Sequence, residues 1–201
     1  GTKNIKGDNI MTYEWDNKKP TAQMLGRWQP FHDGHYSLFK EIIKKTGQVC
    51  IQIRDVQGVD DNPFDFETVK KNIEDRLNPE FEGQFKIMLV PNITNICYGR
   101  GVGYKIEEII KKTGQVCIQI RDVQGVDDNP FDFETVKKKI EERLNPKYEG
   151  RFKIILVPNI TNICYGRGVG YIIEEIVMPE EIQKISATKI RAKMREDGDL
   201  K

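Results

Sequence analysis

The sequence predicts an α/β fold: a Rossmann-like parallel sheet flanked by helices, with its central βαβ segment present twice. Three observations carry that expectation. Short runs rich in β-branched residues, QVCIQI and FKIMLVPNI, alternate with longer stretches of helical period. Residues 41–104 recur at 108–171. The turn HDGH stands where the first strand meets the first helix, at residues 32–35, and holds both histidines of the 201-residue chain.

Residues 1–20 are polar and aperiodic and read as an extended lead-in or linker, ahead of a domain at 21–201. Ala22 to Leu25 reads as the first strand, Gly26–Gly34 as a loop, and about His35–Lys45 as a helix with Leu38, Phe39, Ile42 and Ile43 on one face and Thr46-Gly47 as its stop. QVCIQI is a strand. In NPFDFETVKKNIEDRL, Asp65 is the expected N-cap, and Phe66, Val69, Ile73 and Leu77 share a face. FKIMLVPNI is the next strand, ended by Pro91. At the joint, IEEIIKKTG places two glutamates before two lysines, which favours helix. A YIIEEIVMP strand and a last helix carrying ISATKIRAKM close the chain.

The two copies differ at six of 64 positions: Asn72/Lys139, Asp75/Glu142, Glu80/Lys147, Phe81/Tyr148, Gln84/Arg151 and Met88/Ile155. Five are polar or half-exposed positions and the sixth exchanges apolar residues, so both copies keep one core pattern. HDGH precedes only copy one, and ISATKIR (185–191) follows only copy two. Residues 22–104 joined to 172–201 make a unit of about 113 residues, a sensible size for a small α/β domain. One domain with its middle doubled is expected.

Lys plus Arg number 32 against 31 Asp plus Glu, so no global charge argues for nucleic acid or an anionic membrane, and any anion must be met locally. Apolar runs are only a few residues long and no signal segment is recognised, so a cytoplasmic protein is expected. Cys50, Cys97, Cys117 and Cys164 are two positions each present twice; Cys50 and Cys117 lie in VCIQI, where a small buried hydrophobe is expected, and none forms a C-x-x-C pair, so a structural role is expected in place of metal or redox use.

At the carboxyl end of a strand in a parallel sheet, the start of the next helix favours anions. HDGH sits there, with two imidazoles able to donate to phosphate oxygens and Gly34 removing a Cβ from the approach. An H-x-x-H pair also suits two metal ligands or a plain exposed pair. No third histidine or well-placed cysteine completes a metal set, so no metal site is expected. In ISATKIR, Ser186 and Thr188 have hydroxyls able to cap a helix, while Lys189 and Arg191 put cations in its first turns. The dipole opposes cations there unless an anion is bound. Arg54/Arg121, Asp55/Asp122 and Arg100/Arg167 are candidate second-substrate contacts or ordinary surface charges, and YGRGVGY is a loop without the pattern of a P-loop.

GRWQPFHDGH and ISATKIR, in this order, resemble the GRxQPFHxGH and ISxTxxR signatures of the HxGH nucleotidyltransferase superfamily, whose members include cytidylyltransferase-like proteins and archaeal-type nicotinamide-nucleotide adenylyltransferases. The resemblance implies transfer of NMP (AMP or CMP) from a nucleoside triphosphate to a small phosphorylated acceptor, with release of pyrophosphate. It implies that His32 and His35 hold the α- and β-phosphates and stabilise the transition state. Gly26, Arg27, Trp28 and Phe31 shape the wall near the α-phosphate and sugar, and Ser186, Thr188 and Arg191 bind the departing pyrophosphate. Mg²⁺ is expected to arrive bridging the triphosphate. The family does not carry the duplication. An impaired nucleotide-binding module, or a homodimer formed by segment exchange, is therefore the alternative.

Overall fold

The computed structural model describes residues 13–58, 61–98, 106–123, 128–165, 172–175, 180 and 187–200. In chain order the elements are β1 (Thr21–Gly26), α1 (Asp33–Thr46), β2 (Val49–Arg54), α2 (Phe66–Phe81), β3 (Phe85–Val90), β4 (Asn95–Tyr98), α3 (Ile106–Thr113), β5 (Val116–Arg121), α4 (Phe133–Tyr148), β6 (Phe152–Val157), β7 (Ile160–Ile163), β8 (Ile172–Glu175) and α5 (Ala187–Glu196). They fall into two compact units, one of residues 1–92 and 157–170, the other of residues 93–156 and 171–201.

The first unit holds a four-stranded sheet in the order β3-β2-β1-β7, parallel throughout. Ala22 pairs with Val49, Met24 with Ile51 and Gly26 with Ile53. Alternate residues of the strands therefore present one apolar face. Met24, Ile51, Phe39 and Ile42 of α1, and Ile73 and Leu77 of α2 form a single buried cluster on it. Burying a side chain of this size contributes ~1.5–3 kcal/mol, so this face is the main source of the unit's stability. Gly47 ends α1 in the left-handed region (φ 80°) and donates its N–H to Ile43 O at 2.8 Å. Asp65 caps α2 as expected, accepting from Thr68 N at 2.8 Å. This helix runs past the expected end at Leu77, through Pro79 to Phe81. The Phe81 ring meets Phe39 edge-on at 5.1 Å, so tertiary packing holds a last turn that propensity disfavours.

Residues 13–20 are bound to this unit. Buried Gln48 donates to Asp16 O and Thr21 Oγ1, both at 2.7 Å, and accepts from the Tyr13 hydroxyl at 2.9 Å. A buried amide with its donors and acceptor satisfied at the amino end of β1 anchors the lead-in.

In the second unit β4 pairs in parallel with β8, and β5 pairs with β6. The joint residues form α3, as the charge order predicts. Asp132 caps α4 as its twin caps α2. The sequence reading foresaw neither β4 nor β7, which derive from the same repeated ITNICY stretch.

Chain length explains where those two strands go. Only two residues separate Val90 from Ile93. Three Cα steps span at most ~11 Å. To reach the free edge of β1 in parallel, copy one would have to return ~20 Å along the strand and cross three spacings, ~14 Å. Copy one therefore cannot complete its own sheet, and copy two supplies β7 instead. Likewise only six residues lie between Tyr165 and Ile172, fewer than the dozen or so a parallel crossover needs. The strand that pairs with β8 is accordingly β4, from copy one. The two copies exchange their fourth strands.

Candidate functional site

The loop after β1 is built around Trp28. Its backbone is in the left-handed region (φ 56°), a conformation costly for a residue with a side chain. The Gln29–Pro30 bond is cis. The Trp28 ring is buried, folds back over Gly26 and donates Nε1–H to Gln52 O at 3.2 Å. A Cβ on Gly26 would stand 2.7 Å from that ring, which is the local reason for glycine there. The Trp28 and His35 rings meet nearly at right angles (centroids 4.7 Å apart), with Phe31 5.6 Å from the same imidazole.

The two histidines form a reciprocal cap on α1. His32 is the N-cap: its Nδ1 accepts from Gly34 N at 3.0 Å and His35 N at 3.4 Å. His35 Nδ1 in turn accepts from His32 N at 3.2 Å. The rings stack with centroids 3.6 Å apart. A neutral imidazole that accepts at Nδ1 carries its proton on Nε2. The cap therefore sets both tautomers and leaves two Nε2–H donors at the start of the helix. Burial against the aromatic pair, reinforced by neighbouring His32, lowers His35 to about 4, so it is neutral at pH 7.

This geometry refines two expectations. The N–H groups of Gly34 and His35 are occupied by His32, so the imidazoles stand as donors in place of bare helix amides. Gly34 makes room for protein: a Cβ there would lie 2.9 Å from His32 Cε1. Asp33, between the two histidines, is ion-paired to Arg76 of α2.

The first unit thus brings together Gly26, Arg27, Trp28, Phe31, His32, Gly34 and His35. A turn that sequence reasoning left without a role joins them. Asn62 Oδ1 accepts from Arg27 Nη1 at 3.4 Å, and Gln29 exchanges two hydrogen bonds with the backbone of Phe64, at 2.8 and 2.9 Å. Arg54, at the carboxyl end of β2, is buried, and both its Nε and Nη2 donate to Asn92 Oδ1 at 3.1 and 2.8 Å. Its twin Arg121 is exposed. The second motif belongs to the second unit. Thr188 and Lys189 lie in the first turn of α5, Lys189 exposed, and Arg191 is 4.0 Å from Asp128 Oδ1. Ser186, Arg100 and Arg167 lie outside the described residues. Among the described residues no three His, Cys, Asp or Glu side chains cluster as a metal would need, and no helix is long and apolar enough to cross a membrane.

A parallel α/β sheet whose first strand-to-helix turn presents two N–H donors is suited to meet negative charge. No family model matches the sequence. Over 45 residues the chain is 47% identical to a nicotinamide-nucleotide adenylyltransferase of Methanococcus aeolicus, a stretch covering 21% of this chain and 26% of that protein. That likeness supports a nucleotidyltransferase-like relationship over the stretch concerned. A bifunctional NMN adenylyltransferase/ADP ribose pyrophosphatase from Francisella tularensis matches 91% of this chain and 44% of its own, at 16% identity and a TM-score of 0.34. The chain spans less than half the length of either protein.

Proposed function

We propose that the chain is a nucleotidyltransferase that moves AMP or CMP from a nucleoside triphosphate to a small phosphorylated acceptor. A phosphate oxygen of the acceptor bonds to the α-phosphorus, the bond from that phosphorus to the α–β bridging oxygen breaks, and pyrophosphate leaves with the electron pair. An ionised acceptor needs no general base. The observation that carries this reading is the pair of Nε2–H donors held by the reciprocal histidine cap. Donors placed in advance where charge builds up lower a phosphoryl-transfer barrier without reorganising during the reaction.

In this reading His32 and His35 meet the α- and β-phosphates. Arg27, with Gly26, Trp28 and Phe31, forms the adjoining wall. Ser186, Thr188, Lys189 and Arg191, of the second motif, are the residues that the family resemblance gives to the departing pyrophosphate. Mg²⁺ would enter as a companion of the triphosphate, whose oxygens would supply most of its ligands.

Pyrophosphate release across the four triphosphates, against a panel of phosphorylated acceptors, tests the proposal. His32→Ala and His35→Ala should each lower turnover roughly a hundred- to a thousandfold, the effect of one lost oxyanion donor. The circular dichroism should remain that of the parent. Full activity in both variants would end the proposal.

The exchange of fourth strands favours a second reading, in which copies of this chain trade the identical ITNICY strands between molecules. Light scattering that gives one mass at all concentrations counts against it.

A further inference from the structure

We infer that the turn Asn62-Pro63-Phe64 is a positioning clamp that aims Arg27 at the bound polyphosphate, with Asn62 the residue that sets the guanidinium. This inference rests on the function proposed above. Arg27 and Gln29 flank Trp28, the residue with the left-handed backbone, and the side chains of both end on this one turn. Gln29 gives its amide N–H to Phe64 O and receives Phe64 N–H on its amide oxygen, so its side chain behaves as a short strand laid against the turn. Asn62 is 6% exposed, and its own carbonyl accepts from Gly58 N at 3.0 Å. The backbone that carries its amide is thereby held, and the side chain itself is almost wholly buried. An exposed arginine loses considerable rotamer freedom when it grips a ligand, and one already held by a rigid acceptor loses less.

The duplication supplies an internal control. Copy two repeats the turn as Asn129-Pro130-Phe131, but GRWQ occurs once in the chain, ahead of copy one, and has no counterpart between the copies. Asn129 is more exposed than Asn62 although every residue around it in the chain is the same. Among the described residues, it is the first of these turns that hydrogen-bonds the loop carrying Arg27 and Gln29.

Calorimetric titration of full-length protein with Mg-ATP and Mg-CTP tests this in a double-mutant cycle of Arg27→Ala and Asn62→Ala. Asn62→Ala in the parent should raise Kd about fivefold, the size of one net hydrogen bond. In the Arg27→Ala background it should raise Kd no further, because the group it acts through is gone. Asn129→Ala should leave Kd unchanged. Equal costs of Asn62→Ala in both backgrounds, in a parent that binds, overturn the clamp and leave the proposed function standing. A parent that binds neither nucleotide overturns both.

Discussion

Val49–Arg54 and Val116–Arg121 are the same six residues, VCIQIR, and they meet different surroundings. As β2 the segment lies between β1 and β3 with every residue buried. As β5 it pairs with β6, its first five residues are half-buried, and Arg121 is exposed. Both copies are strands because the local pattern is β-branched and apolar. Only one is core, because only one has β1 on its second edge. Local sequence chose the conformation, and long-range neighbours chose how much free energy that conformation contributes.

The largest test of this contrast is paired truncation at Ile51 and Ile118. Trp15 and Trp28 are the two tryptophans and both belong to the first unit, so tryptophan fluorescence follows that unit's unfolding. Ile51→Ala empties a fully buried site and should lower stability by about 2–5 kcal/mol in a urea titration. Ile118→Ala should move the same transition by under about 0.5 kcal/mol. Equal shifts would mean that a change in the second unit is felt by the first, so that the two units unfold together.

A smaller test works in the opposite sense. Asp65 and Asp132 make the same cap, each accepting at 2.8 Å from the threonine three residues on. Those hydrogen bonds hold both carboxyls below the usual aspartate range. Alanine at either position removes the cap and should weaken the helix concerned, read by circular dichroism, to the same extent in both copies. A large difference would show that even local features answer to their surroundings.

The mildest effect concerns the thiols. Burial pushes Cys50 up to about 12 and raises its twin Cys117 as well, but Cys50 is fully buried and Cys117 is not. Alkylation under native conditions, followed by mass spectrometry, should label Cys117 well before Cys50. Labelling of both at one rate would erase the contrast.

Much of the architecture was legible because it is local. The α1 stripe of Phe39, Ile42 and Ile43, the Gly47 stop, the Asp65 cap and the helix at the joint all depend on residues within one or two turns. At the site, residue types and order were readable, and the imidazole pair stands at the start of α1 as expected. That His32 caps the helix that carries it, and that Gly34 yields to a histidine ring, could not be read from spacing alone. Gln29, Asn62 and Phe64 were missed because their contacts join positions 35 apart in the chain. No local pattern marks which polar residue in a loop will meet another loop.

From the amino-acid order alone came the alternation of strands and helices, the caps and stops, and the two motifs at opposite ends of a doubled segment. Only the tertiary structure decided that each copy gives away its fourth strand. It also decided that one VCIQIR is core while the other is not. The reason is geometric: parallel pairing requires enough chain to travel back along the sheet, and the two residues between Val90 and Ile93, or the six between Tyr165 and Ile172, do not reach.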